Sequence, residues 1–388
     1  ILLHRFQLVA IGDLGGGTEG ATLCIRAMLA MVQYYATEQN QTPIIAACRN
    51  AHKSFLTGCA LLNLNPIFIE NEDHLLSGKL TAQELLDFLD KQEEKPIALY
   101  VTSPDYLGNM ADIKAIADIC HAKGILLLVD NAHGAYLHFL PDPCHPLDFG
   151  ADLVCDSAHK TLPVLTGGAY LHISKYIPEN LLAYAEQAMS LFASTSPSYL
   201  ILQSLDLCNA YLSQDYKINL YEFCSKIVDL KKALKRLGFQ LTGDEPLKIT
   251  ILTKPYGYYG TEFSEILKEQ NLVVEFSDPD YVVLMLSPEL GDHGLKKIYE
   301  VFSLIQLKDP ILVFPPRIPR SNRVYSPREA LLSANEALIL EQCEGKILAQ
   351  PGVTCPPAIP IAICGEKITK EHIKVFRYYG IKKLFVKK

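Results

Sequence analysis

The sequence predicts an α/β protein: a large domain on a mostly parallel sheet, followed by a smaller α/β domain. Three observations predict it. Short apolar runs alternate with amphipathic helical stretches from residue 43 to residue 173, the pattern of strands joined by covering helices. After Gly238 the pattern changes to a smaller set of strands and helices. The chain has 388 residues, 49% hydrophobic and 20% charged, which is ample for two cores. The large domain is expected over residues 1–235 and the small one over 236–388.

Taken in order, residues 5–11 are apolar enough for a short strand or a helix end. Gly15-Gly16-Gly17-Thr18-Glu19-Gly20 precedes a helical pattern from Ala21 to Tyr35. A glycine-rich turn at a helix N-terminus offers free N–H groups and a positive dipole end, which suits a phosphate. A plain flexible loop is the alternative. Pro43 to Ala47 reads as a strand, and Arg49 to Ser54 opens the next helix. Pro66 to Ile69 is a strand. Thr81 to Lys91 is a helix with Thr81 as N-cap and Glu84 completing a capping box. Pro96 to Thr102 is a strand, and Asp112 to Lys123 a helix with Ile113, Ile116, Ala117 and Cys120 on one face.

Gly124 to Asp130, Ala151 to Cys155 and Ala169 to Ile173 read as buried strands. Residues 177–192 form a helix. Thr195-Ser196-Pro197-Ser198 then caps a long helical stretch from Tyr199 to about Leu237, expected to link the two domains. Leu247 to Leu252, Leu272 to Phe276 and Tyr281 to Leu286 are strands, with helices over 262–270 and 295–307. Pro310 to Arg323 is a proline-rich, basic crossing segment. Ser326-Pro327-Arg328-Glu329 carries a helix-start signal.

Two stretches carry the chemistry. Lys160 lies in a loop between two apolar runs, flanked by Ser157, His159 and Thr161. With its stem packed and its amine facing a cavity, such a lysine is placed to attack a carbonyl. Asp130 ends an apolar strand, where α/β sheets place their ligands, and is followed by Asn131-Ala132-His133-Gly134. A pyridoxal phosphate site requires this pair: the lysine forms the Schiff base and the aspartate faces the pyridine nitrogen. The bland readings are a turn aspartate, a turn serine, a solvated histidine at His159 and a helix-capping histidine at His52.

DNAHGAY (130–136) and SAHKTL (157–162) resemble the cofactor motifs of the Orn/Lys/Arg decarboxylases. RNAHKS (49–54), TSPSYL (195–200) with SLD (204–206), and PPAIPIAICGE (356–366) resemble further motifs of that family, in the same order. The resemblance implies a fold-type I, aspartate-aminotransferase-like architecture with pyridoxal 5'-phosphate as cofactor. It implies decarboxylation of arginine, lysine or ornithine to the amine and CO2, an activity of polyamine biosynthesis. Lys160, Asp130, His52 and His133 would form the catalytic set, with His52 stacking on the cofactor ring. Thr18, Glu19, Ser157, His159 and Ser196 would join Lys160, Asp130 and His52 in holding the cofactor, Ser196 across a subunit boundary. A homodimer or dimer-built oligomer is implied. The family usually has Glu where Asn131 stands, often Gln at Gly167, and Gly at Ala358. It also carries a segment before the glycine-rich turn, so the chain reads as a fragment or as a member lacking that segment.

Other readings stay open: a transamination using Arg317, Arg320, Arg323 or Arg328 as a carboxylate clamp, or a pyridoxal-phosphate-binding homologue with little catalysis. Net charge is −7, which suggests no nucleic-acid partner. Eleven cysteines lie scattered without metal-ligand spacing, arguing for no metal and for a reducing, cytoplasmic setting. No apolar stretch reaches membrane-spanning length, and no signal segment opens the chain.

Overall fold

A computed structural model describes residues 7–10, 20–69, 80–319, 322–355 and 359–388. Its largest sheet has seven strands: β1 (Gln7–Ala10), β2 (Ile44–Cys48), β3 (Asn65–Ile69), β4 (Ala98–Thr102), β5 (Leu126–Asp130), β6 (Leu153–Asp156) and β7 (Tyr170–Ile173). Their spatial order is β1-β7-β6-β5-β4-β2-β3. Strands β2 to β6 pair in parallel, and β7 and β1 close one edge antiparallel. Every residue of β5, Leu-Leu-Leu-Val-Asp, is buried, as expected for a strand covered on both faces.

Helices α1 (Ala21–Glu38), α2 (Lys53–Leu62), α3 (Ala82–Leu89) and α4 (Ile113–Ala122) are the crossovers, followed by the one-turn α5 (Ala158–Thr161) and by α6 (Glu179–Ser190). One face packs Leu23, Met28, Phe55 and Met189 against Tyr100 and Leu128. The other packs Leu85, Ile116 and Cys120 against Leu99, Leu127 and Val129. Each fully buried Leu, Ile or Phe contributes roughly 1.5–3 kcal/mol. The Thr81–Glu84 capping box is present as expected. Parallel strands joined by crossovers send all their carboxyl ends to one edge, and the candidate site lies there.

The expected single helix from Tyr199 to Leu237 is two helices, α7 (Tyr199–Leu212) and α8 (Tyr216–Arg236). At the break the Ser213 hydroxyl donates to Ala210 O at 2.7 Å, a side-chain bond that competes with helix continuation. The two helices bury separate stripes in the same core. That core holds Leu205 and Phe223, Tyr136 and Phe139 from the loop after β5, and Ile249 and Leu284 from a second sheet.

The second sheet has the order β10-β11-β9-β8: β8 (Gln240–Thr242), β9 (Lys248–Leu252), β10 (Phe276–Ser277) and β11 (Tyr281–Met285). All its pairs are antiparallel. Helices α9 (Gly260–Glu269) and α10 (Gly291–Leu304) accompany it. The strand expected over Leu272 to Phe276 shrinks to β10. Leu272 N instead donates back to Leu267 O at 2.9 Å, through a left-handed Asn271, to close α9.

A fourth core holds Leu340, Ile361, Phe376 and Leu384. Its elements are β12 (Asn335–Ile339), β14 (Ile359–Ile363), α12 (Lys370–Tyr378) and β15 (Lys383–Lys387), while α11 (Pro327–Leu331) packs into the core with α2, and β13 (Gly352–Cys355) pairs with β14. Among the described residues no helix is long and apolar enough to cross a membrane.

Candidate active site

Adjacent strands deliver the site. In the β4–β5–β6 register Thr102 lies opposite Asp130, and Asp130 opposite Cys155. Asp130 thus ends the central strand, and Lys160 follows one turn after β6 ends. Asp130 is buried. Its Oδ1 accepts the Ala132 N–H at 3.1 Å and its Oδ2 the Tyr100 hydroxyl at 2.9 Å, so both oxygens are oriented from within the sheet. The buried phenol of Tyr100 is pushed well above its usual value, by desolvation first and then by the Asp130 charge, and so stays a hydrogen-bond donor.

Lys160 Nζ lies 2.9 Å from His133 Nε2. The other ring nitrogen of His133, Nδ1, is within hydrogen-bonding distance of Lys248 Nζ, which reaches the site from β9. Tyr106 stands edge-on to His133 with ring centres 4.9 Å apart. His133 is buried, and burial first, then the Lys248, Lys160 and His52 charges, hold its imidazole well below the usual value.

His52 caps α2. Its Nδ1 accepts the Ser54 N–H at 3.3 Å and lies 2.9 Å from the Ser54 hydroxyl. The cap leaves the residue exposed and within electrostatic range of Asp130 and Lys160. His159 donates from Nδ1 to Gly168 O at 2.9 Å. A Cβ on Gly20 would stand 3.5 Å from its ring, and Gly20 N donates to Gly167 O at 3.1 Å, so His159 sits beside the start of α1. That N-terminus carries the positive dipole end that suits a phosphate. Gly167 has φ 105°, which side chains rarely adopt, so the glycine fits this position where Gln would strain it.

Ser157 is buried at the head of α5, and its hydroxyl makes no capping bond. Ser196 is exposed, its N–H donating to Ser194 Oγ at 3.1 Å, and no hydrogen bond among the described residues joins it to Lys160 or Asp130. Thr18, Glu19 and Ala358 lie outside the described residues.

Asn131 is explained by a neighbour. Its Nδ2 donates to Asp156 Oδ1 at 2.7 Å, while His172 Nε2 and His145 Nε2 approach Asp156 Oδ2 at 2.9 and 3.1 Å. A glutamate at 131 would set a second carboxylate against Asp156. Burial alone would raise Asp156, but the two histidines hold it below the usual carboxylate range. The donor atoms of His145, Asp156 and His172 lie within 4.8 Å of one another, and the hydrogen bonds to Asp156 account for that arrangement without an ion. A Cβ at Gly134 would fall 2.0 Å from Asn131 Oδ1, which is why that turn is glycine.

Several buried polar atoms around this edge have no partner: both amide atoms of Asn50 after β2, Thr102 Oγ1 at the end of β4, and Thr161 Oγ1 beside Lys160. Buried polar atoms are normally satisfied, so the cluster fits a ligand with polar substituents. The lysine, the strand-end carboxylate, the exposed imidazole face and the helix N-terminus together match the parts of pyridoxal phosphate. Sequence reading missed Tyr100 and Lys248. Each stands within or at the start of an apolar strand run, and Lys248 comes from the other sheet, 88 residues beyond Lys160 (248 − 160), so no local spacing signals it.

The model of the family described as Orn/Lys/Arg decarboxylase, major domain, matches residues 18–245. The chain belongs to the Orn/Lys/Arg decarboxylase family. It is 32% identical over 348 residues to the uncharacterised protein YaaO of Bacillus subtilis, covering 84% of this chain and 71% of that one. It is 30% identical over 358 residues to an arginine decarboxylase of Halalkalibacterium halodurans, covering 85% and 71%. The lysine decarboxylase LdcF of Francisella novicida superposes with a TM-score of 0.76 at 17% identity, over 96% of this chain and 69% of that one. The fold is that of fold-type I pyridoxal-phosphate enzymes.

Two motifs of this family member meet in space. Arg49 donates from both terminal nitrogens to the two oxygens of Glu366 at 2.8 Å, across 317 residues. Two of the four late arginines named as clamp candidates, Arg323 and Arg328, are engaged elsewhere, and Arg320 lies outside the described residues. Arg323 donates to Pro66 O and Asn65 Oδ1, and Arg328 to Ala60 O and Leu61 O.

Proposed function

We propose that this chain is a pyridoxal-phosphate-dependent decarboxylase of a basic amino acid, arginine, lysine or ornithine. The observation that carries it is the meeting of Lys160, Asp130, His52 and His133 at the carboxyl ends of β2, β5 and β6, in a member of this family. Pyridoxal phosphate supplies, when bound, the electron sink that lets the bond from Cα to the carboxylate break.

The protein's residues do the rest. Lys160 offers the amine. Asp130, aligned by Tyr100 and Ala132, would accept the pyridine N–H. His52 offers a ring face, and Ser157, His159 and the start of α1 would hold the phosphate, with Thr18 and Glu19 preceding that start. Ser196 would serve the phosphate of a second subunit. His133 holds a proton at one ring nitrogen beside Lys160. Choice of the carboxylate bond over others depends on orientation in the site.

Two attributes go with this reading. Exposed Tyr199, Leu200 and Leu207 on α7 support a homodimer. The described cysteines are all free thiols, which supports a cytoplasmic setting. Supplying arginine, lysine and ornithine in turn, and measuring CO2 and amine, tests the proposal. One of the three is expected to yield both in equal amounts. A keto acid without CO2 would replace decarboxylation with transamination, against which the engagement of Arg323 and Arg328 already weighs.

A further inference from the structure

A basic amino acid differs from a neutral one at the far end of its side chain, where a cation follows an alkyl stem. A site that selects it needs an apolar wall ending in a carboxylate that no other group occupies. The carboxylates near Lys160 differ in what they already hold. Asp130 is bound by Tyr100 and Ala132. Asp105 is buried, and its two oxygens accept the backbone and side-chain N–H groups of Asn109 at 2.8 Å. Glu245 is buried against the Tyr136 hydroxyl. Glu275 is exposed, and among the described residues no cation pairs with it. Its Oε1 accepts the Tyr106 hydroxyl at 3.4 Å, and its Oε2 is open.

Tyr106 joins this carboxylate to the site. Lys160 Nζ lies 6.0 Å from the Tyr106 ring centre, and the ring stands edge-on to His133. Phe276, next to Glu275, meets the same ring edge-on with centres 5.4 Å apart. Two aromatic rings thus lead from the amine of Lys160 to an exposed acid. Lys248 Nζ is also 6.0 Å from the Tyr106 ring, but it donates to Asp105 O at 2.9 Å and forms no ion pair with Glu275. The backbone holds the acid in place, since Glu275 N donates to Val283 O at 2.9 Å just before β10 pairs with β11. Burial first, and then the Glu275 charge, push the Tyr106 phenol up to about 12, so it stays a donor to that carboxylate.

We propose that Glu275, oriented by Tyr106, is a specificity-determining residue that takes the side-chain cation of the substrate, with the alkyl stem along Tyr106 and Phe276. This deepens the reading of the chain as acting on a basic amino acid and rests on it. An ammonium or guanidinium head bonds the open Oε2, and its charge beside the tyrosine ring adds to the attraction. A neutral head gains neither. Glu275 therefore selects by affinity, while the bond that breaks is set at the other end of the molecule. The site then draws on both sheets, its amine following β6 and its selecting acid preceding β10.

The test uses the protein loaded with pyridoxal phosphate and a readout that needs no turnover, the change in the visible band as an amino acid binds. Arginine, lysine, ornithine and the neutral norleucine are titrated in turn. The wild type is expected to bind one of the basic amino acids about 10- to 100-fold more tightly than norleucine. Glu275→Gln should abolish that preference while the band and the affinity for norleucine stay unchanged. Glu275→Asp should keep part of it, and so should Tyr106→Phe, which removes only the orienting hydroxyl. In turnover, Glu275→Gln should raise the Michaelis constant about 10- to 100-fold with the turnover number little changed. An unchanged preference in a Glu275→Gln protein that keeps its band overturns the proposal, and CO2 release from that protein would leave the decarboxylase reading standing. A preference that Glu275→Gln removes, in a protein that releases no CO2, keeps Glu275 as the selecting acid and fails the decarboxylase reading alone.

Discussion

Asp156 takes hydrogen bonds from Asn131, His145 and His172 directly behind the turn that presents Asp130. Converting Asn131 to Asp removes one donor and sets two carboxylates in contact. Asn131→Asp is expected to cost about 2–4 kcal/mol in urea denaturation at pH 8, and less at pH 5. The sign follows from linkage: the new carboxyl would have a raised folded pKa, so stability falls as pH rises through it. At this scale the sequence disclosed Lys160, Asp130, His133 and His52, because each ends or follows an apolar run. It hid Asp156 and Lys248. Asp156 adjoins the Lys160 loop and looked like the tail of a strand, and its histidines lie 11 and 16 residues away on other elements. Ser196 remains unconnected to the site within one chain.

Among elements, the Arg49–Glu366 pair ties the head of α2 to the end of β14. Both side chains are nearly buried. Glu366→Ala would leave Arg49 without this carboxylate, at about 3–5 kcal/mol, and an Arg49→Met/Glu366→Met double variant should recover most of that loss. Thermal unfolding of the three variants checks it. A second element-scale prediction concerns the turn between β10 and β11. Asp278 is buried, its Oδ1 accepts the Asp280 and Tyr281 N–H groups, and desolvation raises it to about 7. A carboxyl with a raised folded pKa binds its proton more tightly in the folded state. Stability is therefore present below about pH 4, where both states are protonated, and declines as pH rises to about 7. Asp278→Asn keeps both backbone bonds and should flatten that decline, by about 3–4 kcal/mol at pH 8, read from urea curves at several pH values. Most strands and helices of the large sheet were legible from apolar periodicity. The break between α7 and α8 was not, because Ser213, Gln214 and Asp215 are compatible with a helix surface and only side-chain competition ends it.

For the whole molecule, alternation of strands and helices disclosed the mostly parallel sheet, and the change after Gly238 disclosed a second sheet. What no pattern disclosed is that the second sheet shares a core with α7, α8 and the loop after β5, and thereby brings Lys248 to His133. The exposed apolar residues of α7 call for cover. Light scattering is expected to give twice 43.2 kDa, and a Leu200→Arg/Leu207→Arg variant the single mass with its circular dichroism unchanged. All of this depends on the cofactor and its lysine. The decisive measurement is the visible absorbance spectrum of the purified protein with added pyridoxal phosphate, beside Lys160→Ala. The account predicts a band above 400 nm, on the order of that of a protonated Schiff base, in the wild type and none in the variant. A wild type without the band, or a variant that keeps it, would contradict the assignment of this site.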